Sequence, residues 1–307
     1  MREITIYSVN RADPTHTTML REAFAKDMNR KFRELTTVIA KTIIEKDCFG
    51  LQELSTLQMT PSGYRQFAFP LDAEKVEAFM TWLQDQVDKG IINVSEIPGL
   101  GGSKYAWTNM YISDSYKRGI IRARMELRRK GMNIPDTDVE LIMGTPFHLD
   151  RVGLLFIRTF TELKNITEAM SNQISKVLAQ GMVDGDGPRL IARKLVSTIN
   201  GTGVGELGIT DTLGRFIPAK RRAEMLARTE IIRAHHIATI QEYRSWGIAG
   251  VEVMAEFVNA GDDRVCPICS SLQGKLYTLD EAEGLIPVHV NCRCCTIPLV
   301  VENRNLM

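Results

Sequence analysis

The feature that most constrains this chain is the crowding of cysteine near its C-terminal end. Five of its six cysteines lie between positions 266 and 295, and Cys48 stands alone. The segment Cys266-Pro-Ile-Cys269 has the two-residue spacing that lets two thiolates point at one ion. Because clustered cysteines in a reducing compartment indicate a metal before a disulfide, we expect this end to be a small module held together by metal.

The second half of the cysteine-rich segment supplies further candidate ligands. Zinc favours four sulfur or nitrogen ligands in a tetrahedron, and two pairs joined by a loop suit that geometry. Cys292 and Cys294 lie two residues apart, which on a strand puts them on one face, whereas Cys295 would point away. The candidate ligands, five for four positions, are Cys266, Cys269, His289, Cys292 and Cys294.

Two alternatives to a structural zinc site stay open at this point. A disulfide would require an oxidising setting, and free buried cysteines would require an apolar core that forms without metal. A zinc site is favoured, because a module this small could not otherwise bury much apolar surface.

The rest of the chain is predicted to be largely helical. Apolar residues recur at three- and four-residue steps from about 17 to 47, which is typical of an amphipathic helix. Its inward stripe is expected to be Leu20, Phe24, Met28, Phe32, Leu35, Ile39 and Ile43. Further helices are predicted over 73–90, 116–130, 145–179, 189–199 and 218–246. Strands are predicted over 4–9 and 251–257, and loops at 98–102 and 200–205.

These elements predict a mainly α fold with a small α+β C-terminal module that zinc holds together. The length of 307 residues suits about two domains. We expect an N-terminal helical region of unknown role over 1–165, a helical connector over 166–210 and the cysteine-containing module over 211–307.

Charge is balanced over the whole chain and concentrated locally. A net charge of +1 excludes an overall nucleic-acid coat. Two basic runs, 117–130 and 215–233, are the better candidates for contact with DNA phosphates; a solvated helix face is the alternative. Residues 250–307 hold eight acidic and four basic side chains, a balance unsuited to a DNA-binding zinc module.

The N-terminus lacks the apolar stretch and small residues of a signal peptide. No apolar run approaches the ~18 residues of a membrane helix. We therefore expect a soluble protein that is made in a cytoplasm and has no membrane partner.

The C-terminal motif resembles a known family. Asp-x-Arg-x-Cys-x-x-Cys (262–269), Gly274 and His-x-x-Cys-Arg-Cys (289–294), with Pro298 following, are similar to the C-terminal domain of phage head morphogenesis proteins, typified by the Mu-type minor head protein F. Ala-Arg-Thr-Glu (227–230) inside a helix fits the same family. The resemblance covers about residues 170–300.

The resemblance implies a minor head protein of a tailed phage, located in the virion head near the portal vertex and made in the host cytoplasm. Its implied partners are the portal protein and the capsid interior, with packaged DNA touched through the two basic runs. An oligomer on the portal is a further implication. The resemblance implies an assembly role and no enzymatic activity.

The alternative in which the chain is an enzyme is a nuclease of the His-Asn-His type whose fold is stabilised by zinc. Such a site needs a second histidine or acid to hold a catalytic metal and activate water. Only His289 follows position 236, so this reading is disfavoured. His235 and His236 lie on one predicted helix without a further metal partner at suitable spacing.

Overall fold

A computed structural model gives the fold of the chain. The structure describes residues 13–50, 57–59, 65–67, 73–96, 104–201, 217–247 and 251–302. The predicted strand over 4–9 and the predicted loop at 98–102 lie outside the described residues, as does most of the loop at 200–205.

Helices dominate the described residues, as predicted. They are α1 (Thr18–Ile44), α2 (Ala73–Gly90), α3 (Asn109–Arg129), α4 (Val139–Met143), α5 (Pro146–Val183), α6 (Pro188–Asn200), α7 (Ala219–Trp246), α8 (Pro267–Leu272) and α9 (Leu279–Glu283). No helix among them is long and apolar enough to cross a membrane.

The strands form small antiparallel sheets. They are β1 (Leu57–Met59), β2 (Arg65–Phe67), β3 (Val94–Glu96), β4 (Lys104–Ala106), β5 (Val251–Val258), β6 (Leu276–Tyr277) and β7 (Cys295–Glu302). β1 pairs with β2, and β3 pairs with β4. The C-terminal sheet has the order β6-β5-β7, with Val251 opposite Glu302 and Val258 opposite Cys295. The predicted α+β character of the C-terminal module is therefore confirmed.

The chain forms two compact units, each built from separate stretches. One contains residues 1–25, 107–159 and 225–307, and the other contains 26–106 and 160–224. The domain boundaries predicted from the sequence, at 165 and 210, divide the chain into consecutive segments, and they stay a prediction. The candidate ligands all belong to the first unit.

In the second unit, helical stripes supply the core. The predicted inward residues of α1 from Met28 to Ile43 are buried. On α6 the buried stripe is Ile191, Leu195 and Ile199, spaced four residues apart. Leu190 is 38% exposed because it stands one position off that stripe.

In the first unit, α7 is the central element. From Ile231 to Tyr243 almost all its residues are buried, as expected of a helix enclosed on every side. Helix α3 approaches it closely at Gly119, where a Cβ atom would lie 2.4 Å from the His235 carbonyl oxygen. Only glycine permits that approach.

Two apolar clusters lie beside α7. One joins α3, α7, the sheet and α9 through Leu127, Ile240, Tyr243, Val253 and Ala282. The other contains three of the four candidate cysteines, and its members are Ile232, Phe257, Cys269, Ile286, Cys292 and Cys294. The cysteine-rich segment is thus packed against α7 and β5.

Candidate metal centre

The Cys266–Cys269 pair is set by the start of α8. Cys266 is the N-cap residue, and its Sγ accepts a hydrogen bond from the Cys269 backbone N–H at 3.3 Å. Pro267 follows, a residue suited to the first helical position because it has no N–H to leave unpaired. One helical turn therefore brings both sulfurs to the same side.

Two further candidate ligands, His289 and Cys292, lie at the ends of a tight turn. This turn, residues 289–292, is called here the ligand turn. The Cys292 N–H donates to the His289 carbonyl at 3.1 Å. Asn291, the third residue, has φ of 61°, a left-handed conformation that asparagine tolerates better than most residues. The turn holds one candidate ligand at each end.

His289 aims its Nε2 at the first pair. Nε2 lies 3.2 Å from the Cys266 Sγ and 3.2 Å from the Cys269 Sγ. Its Nδ1 lies 2.8 Å from the Val290 carbonyl oxygen, and because a carbonyl only accepts, Nδ1 carries the proton. In the neutral ring the Nε2 lone pair then faces the sulfurs, which is the tautomer that a metal ligand requires.

All five predicted ligands converge in two overlapping groups. Cys266, Cys269 and His289 have ligand atoms within 4.8 Å of one another, and so do Cys269, Cys292 and Cys294. Cys269 belongs to both groups. Around tetrahedral zinc, bond lengths of ~2.3 Å to sulfur and ~2.0 Å to nitrogen put neighbouring donor atoms ~3.6 Å apart. Each group of three, with its ligand atoms within 4.8 Å, is therefore only slightly wider than the donors around a bound ion.

The cluster favours negative charge on Cys266 and Cys292 and retains protons on Cys269 and Cys294. The hydrogen bond from the Cys269 backbone N–H lowers the pKa of Cys266. The Cys294 thiol donates to the Cys292 sulfur, and this hydrogen bond lowers the pKa of Cys292. The same interaction, together with burial, raises the pKa of Cys294. Burial raises the pKa of Cys269. A divalent cation would remove this conflict, because it lets several sulfurs be thiolates at once.

Two polar contacts anchor the ligand segments. Arg293 makes a bidentate ion pair with Asp262 at 2.6 and 2.7 Å, joining the approach to Cys266 to the segment that carries Cys292. The Asn291 N–H donates to the Thr229 Oγ1 at 3.1 Å. The sequence motif contains all four residues, but its pattern alone gave them no role.

The remaining cysteines stand apart from the two groups. Cys295 begins β7, and its Sγ lies 3.2 Å from Nη2 of Arg122 rather than beside the ligands. Cys292 and Cys294 were expected to share one face of a strand, but they precede β7 and lie in irregular chain. The irregular segment, and not strand geometry, therefore brings their sulfurs to one group. All six cysteines are free thiols.

The polar residues of α7 that were considered for chemistry make structural contacts within the fold. His235 and His236 are buried on α7, and the His236 Nε2 donates to the Ala282 carbonyl at 2.7 Å. Glu230 forms an intrahelical ion pair with Arg233 at 3.1 Å and a second ion pair with Arg158 at 3.4 Å.

The basic run 117–130 is partly internal. Arg122 pairs with Glu126 and donates to the Thr296 carbonyl, and Arg124 lies 3.3 Å from the buried Glu242. These two guanidiniums cannot reach a phosphate without leaving their partners. Arg118, Arg129 and Lys130 are the exposed cations of the run.

Comparison with known proteins identifies a family for part of the chain. Residues 172–297 match the family model described as Phage Mu protein F like protein. The match confirms the resemblance to phage head morphogenesis proteins, and it contains every candidate ligand. It covers less than half of the chain. No curated protein and no solved structure matches.

Proposed function

We propose that this chain is a minor head protein that acts in head assembly of a tailed phage and stays in the virion near the portal vertex. The observation that carries the proposal is the overlap between the family region, residues 172–297, and the candidate metal centre. The candidate metal centre lies at the C-terminal end of the part of the chain that resembles head proteins.

The metal in this proposal is structural zinc. Four cysteine sulfurs and one imidazole nitrogen form the donor set, and soft thiolates with imidazole select zinc over hard cations. Its role is to fix a module of one three-stranded sheet and two short helices, in which the ligands lie on separate segments that the ion would join.

The cluster is proposed to be structural and not catalytic. A catalytic zinc keeps a position open for water, with three protein ligands, whereas here five side chains compete for four positions. Three of the cysteines are buried against Ile232, Phe257 and Ile286, which leaves little room for a substrate. The account therefore assigns the chain no enzymatic activity.

Portal protein and capsid interior are the proposed partners. DNA contact is proposed only for the exposed cations of the two basic runs, among them Arg118, Arg129, Lys130 and Arg221. Among the described residues, the small number of such cations fits occasional phosphate contact in a filled head better than a dedicated DNA-binding surface.

The test is made in a phage that carries this gene. Purified virions are analysed by quantitative mass spectrometry, and a gene-disrupted phage is examined by electron microscopy. The proposal expects the chain in virions at low copy and defective or empty heads without it. Normal, infectious heads from the disrupted phage, or virions that lack the chain, would overturn the head-assembly role.

A further inference from the structure

We propose that Thr229 is the positioning residue for the ligand turn: through one hydrogen bond to Asn291 it sets the geometry in which His289 and Cys292 meet the metal. This inference rests on the proposed metal site. It gives a physical role to the Arg-Thr-Glu segment of α7, which lies 62 residues from the turn.

The direction of the hydrogen bond follows from the chemistry of the hydroxyl. Thr229 has one hydroxyl proton, and it donates this to the Met225 carbonyl one helical turn earlier, at 2.7 Å. Its oxygen lone pairs are then left to accept. The Asn291 N–H, at 3.1 Å, is the donor. The side chain is buried, so water does not compete for this acceptor.

The hydrogen bond to Thr229 is made by the residue of the ligand turn whose backbone conformation is the least favourable. Asn291 has a positive φ, a conformation disfavoured for residues with a Cβ atom. The adjoining bond, from the Cys292 N–H to the His289 carbonyl, closes the turn with both ligands at its ends. An acceptor on α7 therefore fixes the third residue and, through it, the separation and direction of the two ligands.

A second feature makes the anchor rigid. α7 is buried along this stretch, and Ile232, on the next turn, packs in the cluster that contains Cys269, Cys292 and Cys294. The acceptor thus belongs to the same packed body as the sulfurs. Groups that orient metal ligands from outside the coordination sphere typically change metal affinity by about 10- to 100-fold when they are removed.

The experiment uses the full-length chain and cobalt(II) as a spectroscopic probe that occupies zinc sites. Thr229→Val removes the hydroxyl and keeps the volume of the side chain. Thr229→Ser keeps the acceptor oxygen. The matched control is Thr239→Val, because Thr239 is also buried on α7 and its hydroxyl donates to the carbonyls of His235 and Gly119, away from the ligand turn.

Cobalt titration and competition with a zinc chelator are measured for each protein, alongside thermal melting of the metal-free forms. We expect Thr229→Val to weaken metal binding about tenfold and to alter the tetrahedral cobalt absorption bands. Thr229→Ser should restore both, and Thr239→Val should lower the melting temperature without changing affinity. Wild-type affinity in Thr229→Val, or an equal loss in Thr239→Val, overturns the inference.

Two further arms keep the test decisive. If wild-type protein binds neither cobalt nor zinc, the metal site itself fails, which is distinct from failure of the positioning role. If Thr229→Val does not fold, Thr229→Ala is compared with Thr229→Ser, because these two variants differ only by the hydroxyl that accepts from the Asn291 N–H. Weaker binding in Thr229→Ala than in Thr229→Ser supports the positioning role, and equal affinity in the two overturns it.

Discussion

Arg293, which separates two candidate metal ligands, lies with its guanidinium 2.6 and 2.7 Å from the two carboxylate oxygens of Asp262. Asp262 also contacts Arg264 at 3.0 Å, but Arg264 is 69% exposed whereas Arg293 is 16% exposed. The hydrogen bonds from Arg293 lower the pKa of Asp262 below its ordinary value, so this carboxylate is charged throughout the neutral range.

The first prediction concerns this ion pair. Arg293→Gln should destabilise the chain by roughly 1 kcal/mol, because a bidentate but partly exposed pair is worth more than a typical surface pair and is still screened by solvent. Arg264→Gln should change stability by less, since its side chain is in water. Thermal melting in low and high salt provides the measurement. Equal effects of the two substitutions would contradict a specific role for Arg293.

The second prediction concerns the approach of α3 to α7. In Gly119→Ala the new methyl group would lie 2.4 Å from the His235 carbonyl oxygen and 2.7 Å from the Ala238 Cβ. Separating the two helices should cost about 1–3 kcal/mol. Gly153→Ala, also in a helix, meets nothing within 4 Å and should stabilise by up to about 1 kcal/mol. Chemical denaturation of both variants measures the contrast, and a neutral Gly119→Ala would refute the close packing.

The third prediction is a pH dependence from His236. Burial lowers its pKa from 6.5 to about 4, while its hydrogen bond to the Ala282 carbonyl opposes the shift. The unfolded chain therefore takes up a proton below pH 6.5 that the folded chain refuses. Stability that is fully present above pH 6.5 should fall as the pH approaches 4, by roughly 3 kcal/mol in total.

The control for this prediction is His236→Gln, which can donate to Ala282 and does not titrate. Acid also displaces metal from thiolates, but it does so in both proteins, so the difference between their stability curves isolates the histidine. Between pH 6.5 and 4 the wild type should lose more stability than the variant. Parallel curves would show that His236 is not held neutral.

Much of the fold could be predicted from sequence because long helices carry a repeated signal. The helix predicted over 73–90 matches α2, and those over 189–199 and 218–246 differ from α6 and α7 by a single residue at one or both ends. Short elements such as α8 and α9 have five or six residues and show no readable periodicity. The assembly of each compact unit from separate stretches depends on contacts that no local pattern contains.

The candidate ligands could be predicted from the sequence, but the residues that hold them in position could not. Spacing alone identified the five candidate ligands, whose ligand atoms the fold brings into two overlapping groups. The contact between Thr229 and Asn291 spans 62 positions, and only the folded chain reveals it. In the same way, Arg122 and Arg124 form part of a basic run in sequence, but acidic partners occupy both, and Glu242, the partner of Arg124, is buried.

The most direct test of the central claim is elemental analysis of the purified full-length chain for zinc, prepared under reducing conditions with zinc available. The account predicts one zinc per chain, lost in Cys269→Ser and retained in Cys48→Ser and Cys295→Ser, with its removal by chelator lowering the melting temperature. Metal-free protein, or zinc that survives in Cys269→Ser and leaves with Cys295→Ser, would contradict a zinc centre built on Cys269.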